Sequence, residues 1–351
     1  MNFERRIIMT AITEKERSEL LRKNTINKIS QKRMKELLKN EKYPRSARYD
    51  PAWVLKGWMG PNVLWLTEWL TGRMELKPGM RVLDMGCGKA LSSIFLAREF
   101  GVQVWANDLW VTATENWQRV KETGMEKQVF PIHAEAHELP YAGDFFDAIV
   151  SLDSYQYYGT DEMYLPYFIK FLKPGGEIGI VAPGLKKEIT GEPPEHFMRV
   201  KATGAPFWVD ECWCFHTPAW WQRHWSRMSC IEEVKADHLK DAVKDWIQYE
   251  NACDEAGTLL FPSEVPNLEA DGGRWLSLVG VTGRRKKGAG RQEPSSGAVL
   301  HDHAPRSHHI DGARGGASYP VIKDTPERSA RPGAPVEVID CSVGRKGKDV
   351  G

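Results

Sequence analysis

The chain has 351 residues, with 48 Lys and Arg against 47 Asp and Glu. Hydrophobic residues make up 41% of the sequence, which excludes wholesale disorder. This length allows one large domain or two. No apolar run reaches the roughly 18 residues of a membrane span, and the N-terminus shows no secretory signal. The six cysteines lack the spacing of a zinc site or a disulfide framework. We therefore expect a reduced, cytoplasmic protein without a metal.

The net charge of +1 hides three blocks of different sign. Residues 1–50 hold 14 basic and 7 acidic residues (+7), residues 282–351 hold 13 and 8 (+5), and residues 51–281 therefore carry −11. A basic arm could touch nucleic acid or an anionic membrane. We favour a solvated helix in front of an acidic body, because an acidic body binds phosphate backbones poorly. No nucleic-acid partner is expected, and membrane contact stays a lesser possibility.

Three parts are predicted along the chain. Residues 1–72 form a helical N-terminal extension or lid, with a charged helix over 14–40 and a second helix from Pro61 to about Gly72. Residues 73–282 form the main domain. Residues 283–351 are crowded with Gly, Pro, Ser, Arg and His, so we expect a disordered tail. Its four histidines between 301 and 309 have no ordered acid or cysteine partner that would indicate a metal site.

Short apolar runs alternate with helical segments from Met80 onward. This alternation predicts an α/β fold, a mostly parallel seven-stranded sheet covered by helices on both faces. An inserted substrate loop is expected over residues 183–215. The predicted strands span 81–85, 102–106, 128–133, 146–152, 177–182, 231–236 and 275–282, and the predicted helices span 90–100, 113–123, 162–172, 218–228 and 241–255.

The strongest motif lies where the first strand meets the first helix of the main domain. Asp84, Gly86, Cys87 and Gly88 form a glycine-rich turn in which the backbone can approach a ligand closely and the helix offers free N–H groups. A dinucleotide site needs a third glycine where Leu91 stands. Asp84 would also repel a pyrophosphate, whereas it suits a ligand that carries an ammonium group.

A second acid follows at the end of the second strand. Asp108 lies 20 residues past Gly88, and an acid at this position can accept hydrogen bonds from both hydroxyls of a ribose. Leu109 and Trp110, directly beyond it, could flank an adenine ring. The pair of motifs predicts a nucleoside site across the first two strands.

Three further segments complete a pattern: residues 134–141, 145–153 and 171–176. Together the five segments resemble class I S-adenosylmethionine-dependent methyltransferases, most closely the small-molecule branch with quinone, sterol and cyclopropane-type enzymes. The resemblance covers residues 76–182 well and extends weakly to 282. It implies a Rossmann-like methyltransferase fold, S-adenosyl-L-methionine as cofactor, and a small-molecule methyl acceptor.

The resemblance also implies roles for matching positions. Ala90 replaces a third glycine that is common in such enzymes, which we expect to be a mild change, and Glu135 stands where Asp is commoner. Tyr49, next to Asp50, echoes a Tyr-Asp pair of the sterol and cyclopropane-type enzymes. The implied cofactor contacts are Asp84, Gly86, Cys87 and Gly88 at the methionine end, Asp108 and Leu109 at the nucleoside, Glu135 and Ala136 at the adenine, Asp153 near the substrate, and Tyr49.

The acceptor is expected above the carboxyl ends of the fourth and fifth strands, where open α/β sheets bind ligands. Tyr155 and His216 are the catalytic residues that we predict there, His216 as a general base in competition with a structural role at the start of a helix. Trp221 and Trp225, spaced i and i+4, more simply pack in the core.

Other functions remain open from the sequence alone. One is cyclopropane-type transfer to a lipid alkene, in which the basic N-terminal helix would dock on a membrane. Another is a protein that binds S-adenosylmethionine without catalysis, and a third is a nicotinamide dehydrogenase, which the missing third glycine and Asp84 disfavour. The sequence does not determine the acceptor or the oligomeric state.

Overall fold

The computed structural model of the protein describes residues 29–199 and 206–287. The disordered tail is predicted from residue 283, but the last strand continues to Arg285. The rest of that tail beyond residue 287, with its four histidines, lies outside the described ranges, as does the first part of the predicted 14–40 helix. Among the described residues, no helix is both long and apolar enough to cross a bilayer.

Seven strands form one sheet in the order β3-β2-β1-β4-β5-β7-β6. The parallel pairs are β1–β2, β1–β4, β2–β3 and β4–β5, while β7 runs antiparallel to both β5 and β6. The predicted mostly parallel seven-stranded sheet is therefore confirmed. The strands are β1 (Arg81–Met85), β2 (Gln103–Asp108), β3 (Val129–His133), β4 (Phe146–Leu152), β5 (Leu172–Leu185), β6 (Ile231–His238) and β7 (Leu276–Arg285).

Ten α-helices lie in the described residues, and most begin at a side-chain cap or a proline. Thr112 and Glu115 form a reciprocal capping box at one of them, and Thr217 accepts from the Trp220 N–H at another. The helices are α1 (Gln31–Leu37), α2 (Pro51–Lys56), α3 (Val63–Thr71), α4 (Leu91–Phe100), α5 (Ala113–Glu122), α6 (Tyr164–Phe168), α7 (Glu195–Met198), α8 (Pro218–Ser226), α9 (Ala242–Ala256) and α10 (Val265–Asp271).

Strand β5 differs most from its prediction. It begins at Leu172 and includes the Pro174-Gly175-Gly176 stretch that we expected to form a turn before it. Its pairing with β4 jumps from Phe146↔Leu172 to Ala148↔Glu177, so the proline and glycines sit in a bulge rather than between elements. The strand also continues to Leu185, into the predicted 183–215 insertion. A local sequence pattern cannot show that β7 pairs with it from Glu177 to Leu185.

The helices that precede the sheet, α1 to α3, pack on α4 and α9 through a cluster of buried aromatic and aliphatic side chains. Trp58, Leu55 and Leu64 are fully buried, and this cluster includes residues of α4 and α9. The Tyr249 hydroxyl on α9 donates to the Val54 carbonyl at 2.9 Å. Residues 57–63, between α2 and α3, are thereby held next to the glycine turn. In a separate core cluster, Trp221 and Trp225 are fully buried, which confirms their expected core packing.

Candidate functional site

A cavity of about 410 Å³ lies at the carboxyl ends of β1, β2 and β4, a volume typical of small-molecule sites. One wall, which we call the glycine-turn wall, consists of residues 85–91 with Asp108 and Glu135. The opposite wall, which we call the extension wall, consists of residues 57–63. Asp153, Ser154, Tyr157 and Tyr158, beyond the end of β4, also line the cavity.

Two glycines of the turn have backbones that other residues rarely adopt. Gly86 has φ of +74° and Gly88 has φ of +53°. A Cβ at Gly86 would overlap the Ser154 side chain, and a Cβ at Gly88 would lie 2.9 Å from Sδ of Met59. The missing side chain at Gly88 therefore lets Met59 of the extension wall approach the turn, and the missing side chain at Gly86 leaves room for Ser154.

Ala90 also lies in the left-handed region, with φ of +59° at the residue that precedes α4. A non-glycine residue pays about 1–2 kcal/mol for this conformation. The expectation that alanine is a mild replacement at this position stays a prediction. Alanine is tolerated here, but at a cost that glycine would not carry.

Asp108 is almost fully buried at the tip of β2 and is held by three backbone donors. Its Oδ2 accepts from the Gly88 N–H at 2.8 Å, and its Oδ1 accepts from the N–H groups of Trp110 and Val111 at 2.7 and 2.8 Å. Burial raises the pKa of this carboxyl, although the three donors act in the opposite direction. A carboxylate has about four lone-pair positions, so roughly one is left for a ligand hydroxyl.

Asp84 lies behind the glycine turn rather than on the cavity lining. Its Oδ2 accepts from the hydroxyls of Ser92 and Ser93, both at 2.6 Å, and so ties β1 to the first turn of α4. Among the described residues, no group donates to its Oδ1. Complete burial raises the pKa of Asp84 to about 6, because desolvation outweighs the two serine hydrogen bonds.

The adenine-side and substrate-side acids both line the cavity. Glu135 accepts from the His137 N–H at 2.6 Å and lies 3.0 Å from its ring Nδ1, so the two residues form one local unit. Asp153 has φ of +57°, and its N–H donates to the Val181 carbonyl at 2.8 Å. A non-glycine residue held in this region beside a cavity is typical of a functional position.

Of the predicted cofactor residues, eight line this cavity: Gly86, Cys87, Gly88, Asp108, Leu109, Glu135, Ala136 and Asp153. Tyr49 lies elsewhere, buried between Trp53 and Phe95, with its hydroxyl 3.2 Å from Oε1 of Glu99. The described structure therefore gives Tyr49 and Asp84 no direct contact with the cavity.

The two predicted catalytic residues are also absent from the described lining. Tyr155 is fully buried among Trp221, Trp225 and Phe168, so its ring belongs to the core. His216 pairs through Nδ1 with Oε2 of Glu188 at 3.0 Å and stacks on Trp220. Glu188 also accepts from the Thr217 N–H and hydroxyl at the start of α8. These contacts correspond to the structural role that competed with the general base.

Sequence reasoning missed the extension wall and the side chains of Lys89, His137 and Tyr249. Met59 and Pro61 come from the connection between α2 and α3, Tyr249 comes from α9, and Lys89 and His137 follow residues that we had singled out. No local pattern marks residues 57–63 as ligand-lining. The only signal was the helix start at Pro61, which places a loop end near this edge.

Comparison with known proteins bears on the same region of the chain. Residues 82–176 match the family model described as a methyltransferase domain. The protein named Methyltransferase GfsG from Streptomyces halstedii is 33% identical over 116 residues, which are 33% of this chain and 42% of that protein. Phosphoethanolamine N-methyltransferase 1 of Arabidopsis thaliana is 30% identical over 35% of this chain and 25% of its own length.

Residues 82–176 are therefore similar to the methyltransferase domains of known enzymes. This confirms the resemblance that the five motifs indicated. The chain spans less than half the length of the curated relatives named here, so the match concerns the domain and not a whole relative.

A solved structure shows the same fold over a longer range. The Haemonchus contortus phosphoethanolamine N-methyltransferase 2, in complex with S-adenosyl-L-methionine, superposes with a TM-score of 0.53 at 17% identity. The alignment covers 74% of this chain and 60% of that chain. It confirms the Rossmann-like methyltransferase fold of this domain.

Proposed function

We propose that the protein transfers a methyl group from S-adenosyl-L-methionine to a small-molecule acceptor. The observation that carries the proposal is the cavity at the carboxyl ends of β1, β2 and β4, with the glycine turn and the Asp108 carboxylate on one wall. The cofactor, when bound, supplies an electrophilic methyl group on a sulfonium. The protein then needs to align the acceptor and exclude water.

The residues of the cavity suit this cofactor. Gly86 and Gly88 line the cavity with backbones at positive φ, Asp108 keeps a lone-pair position for a ribose hydroxyl, and Glu135 with Ala136 borders the adenine side. Asp84 lies behind the turn, so its buried Oδ1, which lacks a donor among the described residues, suits a water that bridges to an ammonium group.

The acceptor side of the cavity is formed by Asp153, Ser154, Tyr157 and Tyr158 together with Met59 and Pro61. The Tyr158 hydroxyl lies 3.0 Å from Oγ of Ser154 and 3.2 Å from Oγ of Ser151, which fixes the ring at this edge. A mixed lining of rings, aliphatic groups and one carboxylate accommodates a compact acceptor that has both apolar and polar parts. The cytoplasmic location stays a prediction from the sequence.

The test is calorimetric titration of S-adenosylhomocysteine into the wild type and the Asp108→Asn variant. Asparagine keeps the shape of the side chain but removes the charge and one acceptor, so we expect the affinity to fall by about 1–3 kcal/mol. Asp254→Asn, on the exposed face of α9, is the matched control and should not change the affinity.

Equal affinities in the wild type and Asp108→Asn would contradict the ribose assignment. Catalysis is tested separately with S-adenosylmethionine that carries a labelled methyl group and with fractionated metabolites. A labelled small molecule is expected with the wild type, and label that appears only in protein or lipid fractions would refute a small-molecule acceptor.

A further inference from the structure

A buried lysine stands on the cavity directly after the second glycine of the turn. Lys89 is 4% exposed, lines the cavity, and donates from Nζ to the Lys56 carbonyl at 2.8 Å. Lys56 is the last residue of α2, whose C-terminal carbonyls carry partial negative charge. The lysine side chain thus links the glycine turn to the N-terminal extension, and none of the motifs in the sequence assigns it a role.

The charges around Lys89 do not compensate its burial. The pKa of Lys89 is lowered to about 7. Desolvation by burial is the largest cause, and the Arg119 guanidinium on α5 is the next. Glu115 on α5 and the Cys253 thiol on α9 act in the opposite direction but are smaller influences. Lysines are almost never buried to this degree without a partner charge. A ligand that brought an anionic group would supply that charge.

Most charged side chains of the cavity lining are acidic. It carries the carboxylates of Asp108, Glu135 and Asp153, whereas Lys89 is the only lysine or arginine among its described residues. The amino-acid end of the proposed cofactor carries both an ammonium and a carboxylate. The carboxylate would be repelled by the three acids, and Lys89 is the cationic side chain of the described lining that could form an ion pair with it.

Lys89 has the donors for such a pair. An ammonium has three N–H groups, and the hydrogen bond to the Lys56 carbonyl uses one of them. Its backbone lies next to Gly88, at the turn where the resemblance places the methionine end of the cofactor. We propose that the Lys89 ammonium binds the α-carboxylate of that amino-acid end, an assignment that rests on the proposed function.

The pairing has a consequence for the pH dependence of binding. The free protein loses the Lys89 proton as pH rises through about 7, whereas a bound carboxylate keeps the ammonium protonated. Binding above pH 7 therefore takes up a proton. The affinity for a nucleoside with the carboxylate should fall as pH rises from 6.5 to 8, and the affinity for a nucleoside without it should stay level.

Two ligands and three proteins test the assignment by calorimetry. S-adenosylhomocysteine carries the amino-acid end, and 5′-methylthioadenosine lacks it. In Lys89→Met we expect the affinity for S-adenosylhomocysteine to fall about 10- to 100-fold, the effect of one charged hydrogen bond, and the affinity for methylthioadenosine to change less than about twofold. Lys121→Met, an exposed lysine at the end of α5, is the matched control and should behave as the wild type.

Each alternative gives a different result. An equal loss for both nucleosides would mean that Lys89 only supports the extension wall, and an unchanged affinity for S-adenosylhomocysteine would mean that it binds nothing; either result overturns the assignment. If the wild type bound neither nucleoside, the proposed function itself would fail. Should Lys89→Met not fold, the pH profile of the wild type decides, because a level profile for S-adenosylhomocysteine overturns the pairing.

Discussion

The two walls of the cavity are built in different ways. The glycine-turn wall depends on backbone conformation: Gly86 and Gly88 have positive φ, and Asp108 is held by three backbone N–H groups. The extension wall depends on packing. Residues 57–63 are held by buried side chains such as Trp58 and Leu64, in one cluster with residues of α9 some 190 positions away in the sequence.

The difference shows why one wall could be found from the sequence and the other could not. A backbone with positive φ restricts the residue type at that position, so glycine at fixed spacing carries information. A packed loop restricts only volume and polarity, which many sequences satisfy. The following experiments measure how far this distinction holds.

The largest effect is expected for Gly86→Ala. This substitution combines a left-handed backbone with a Cβ that overlaps the Ser154 side chain. The two costs are about 1–2 kcal/mol for the backbone and about 1–3 kcal/mol for the overlap, so we expect the free energy of unfolding to fall by roughly 2–5 kcal/mol. Denaturant titration measures the loss.

Two matched variants separate these costs. Gly79→Ala has only the backbone cost, because φ is +81° and nothing lies within 4 Å of the new Cβ. Gly57→Ala, on the extension wall, has only the overlap of its Cβ with the Leu91 side chain, because its φ is −78°. If Gly57→Ala were as costly as Gly86→Ala, the contrast between the two walls would be refuted.

The second effect concerns Asp84, and it depends on pH. The folded pKa of about 6 lies above the ordinary 3.8, so ionisation of Asp84 costs the folded state about 3 kcal/mol, fully expressed above pH 6 and absent below about pH 4. We expect Asp84→Asn to be more stable than the wild type at pH 7.5. The advantage should shrink by about 1 kcal/mol at pH 5.

Denaturant titrations of both proteins at the two pH values provide the measurement. The hydroxyls of Ser92 and Ser93 donate hydrogen bonds to the Asp84 carboxylate. Ser93→Ala therefore serves as a control for the loss of a hydrogen bond without a change of charge. A stability difference between Asp84→Asn and the wild type that does not vary with pH would show that Asp84 is not the titrating group.

The smallest effect is expected for Ala90→Gly, and it has the opposite sign to that of Gly86→Ala. Glycine relieves the left-handed backbone at φ +59°, which should raise the free energy of unfolding by about 1 kcal/mol, or the melting temperature by roughly 2–4 °C. Calorimetry detects such a shift. A lower melting temperature would mean that the packing of the Ala90 methyl outweighs the strain.

Most of the fold could be predicted because its elements are local. Strand β4 has the predicted bounds, and β1 does as well, since short apolar runs between turn residues mark buried parallel strands. The start of β5 could not be predicted, because a bulge absorbs Pro174 and Gly175 only when β4 lies alongside. The antiparallel direction of β7 likewise follows from its two neighbours.

The same reasoning explains the outcome for the site. Eight of the implied contacts lie on the cavity because each belongs to a strand end whose position the parallel sheet determines. Tyr155 and His216 were predicted as catalytic because of the chemistry of their side chains. At both positions, however, tertiary packing decides which way the side chain points. Tyr155 points into the core beside Trp221, and His216 pairs with Glu188.

The sequence by itself determined the parallel α/β sheet, the glycine turn and the acid at the tip of β2, because each follows from backbone geometry over a few residues. The tertiary structure decided that residues 57–63 close the cavity, that Asp84 lies behind the turn, and that Lys89 is buried beside the Lys56 carbonyl. These features depend on contacts between segments far apart in the chain, and no local pattern encodes which distant surface a side chain will meet.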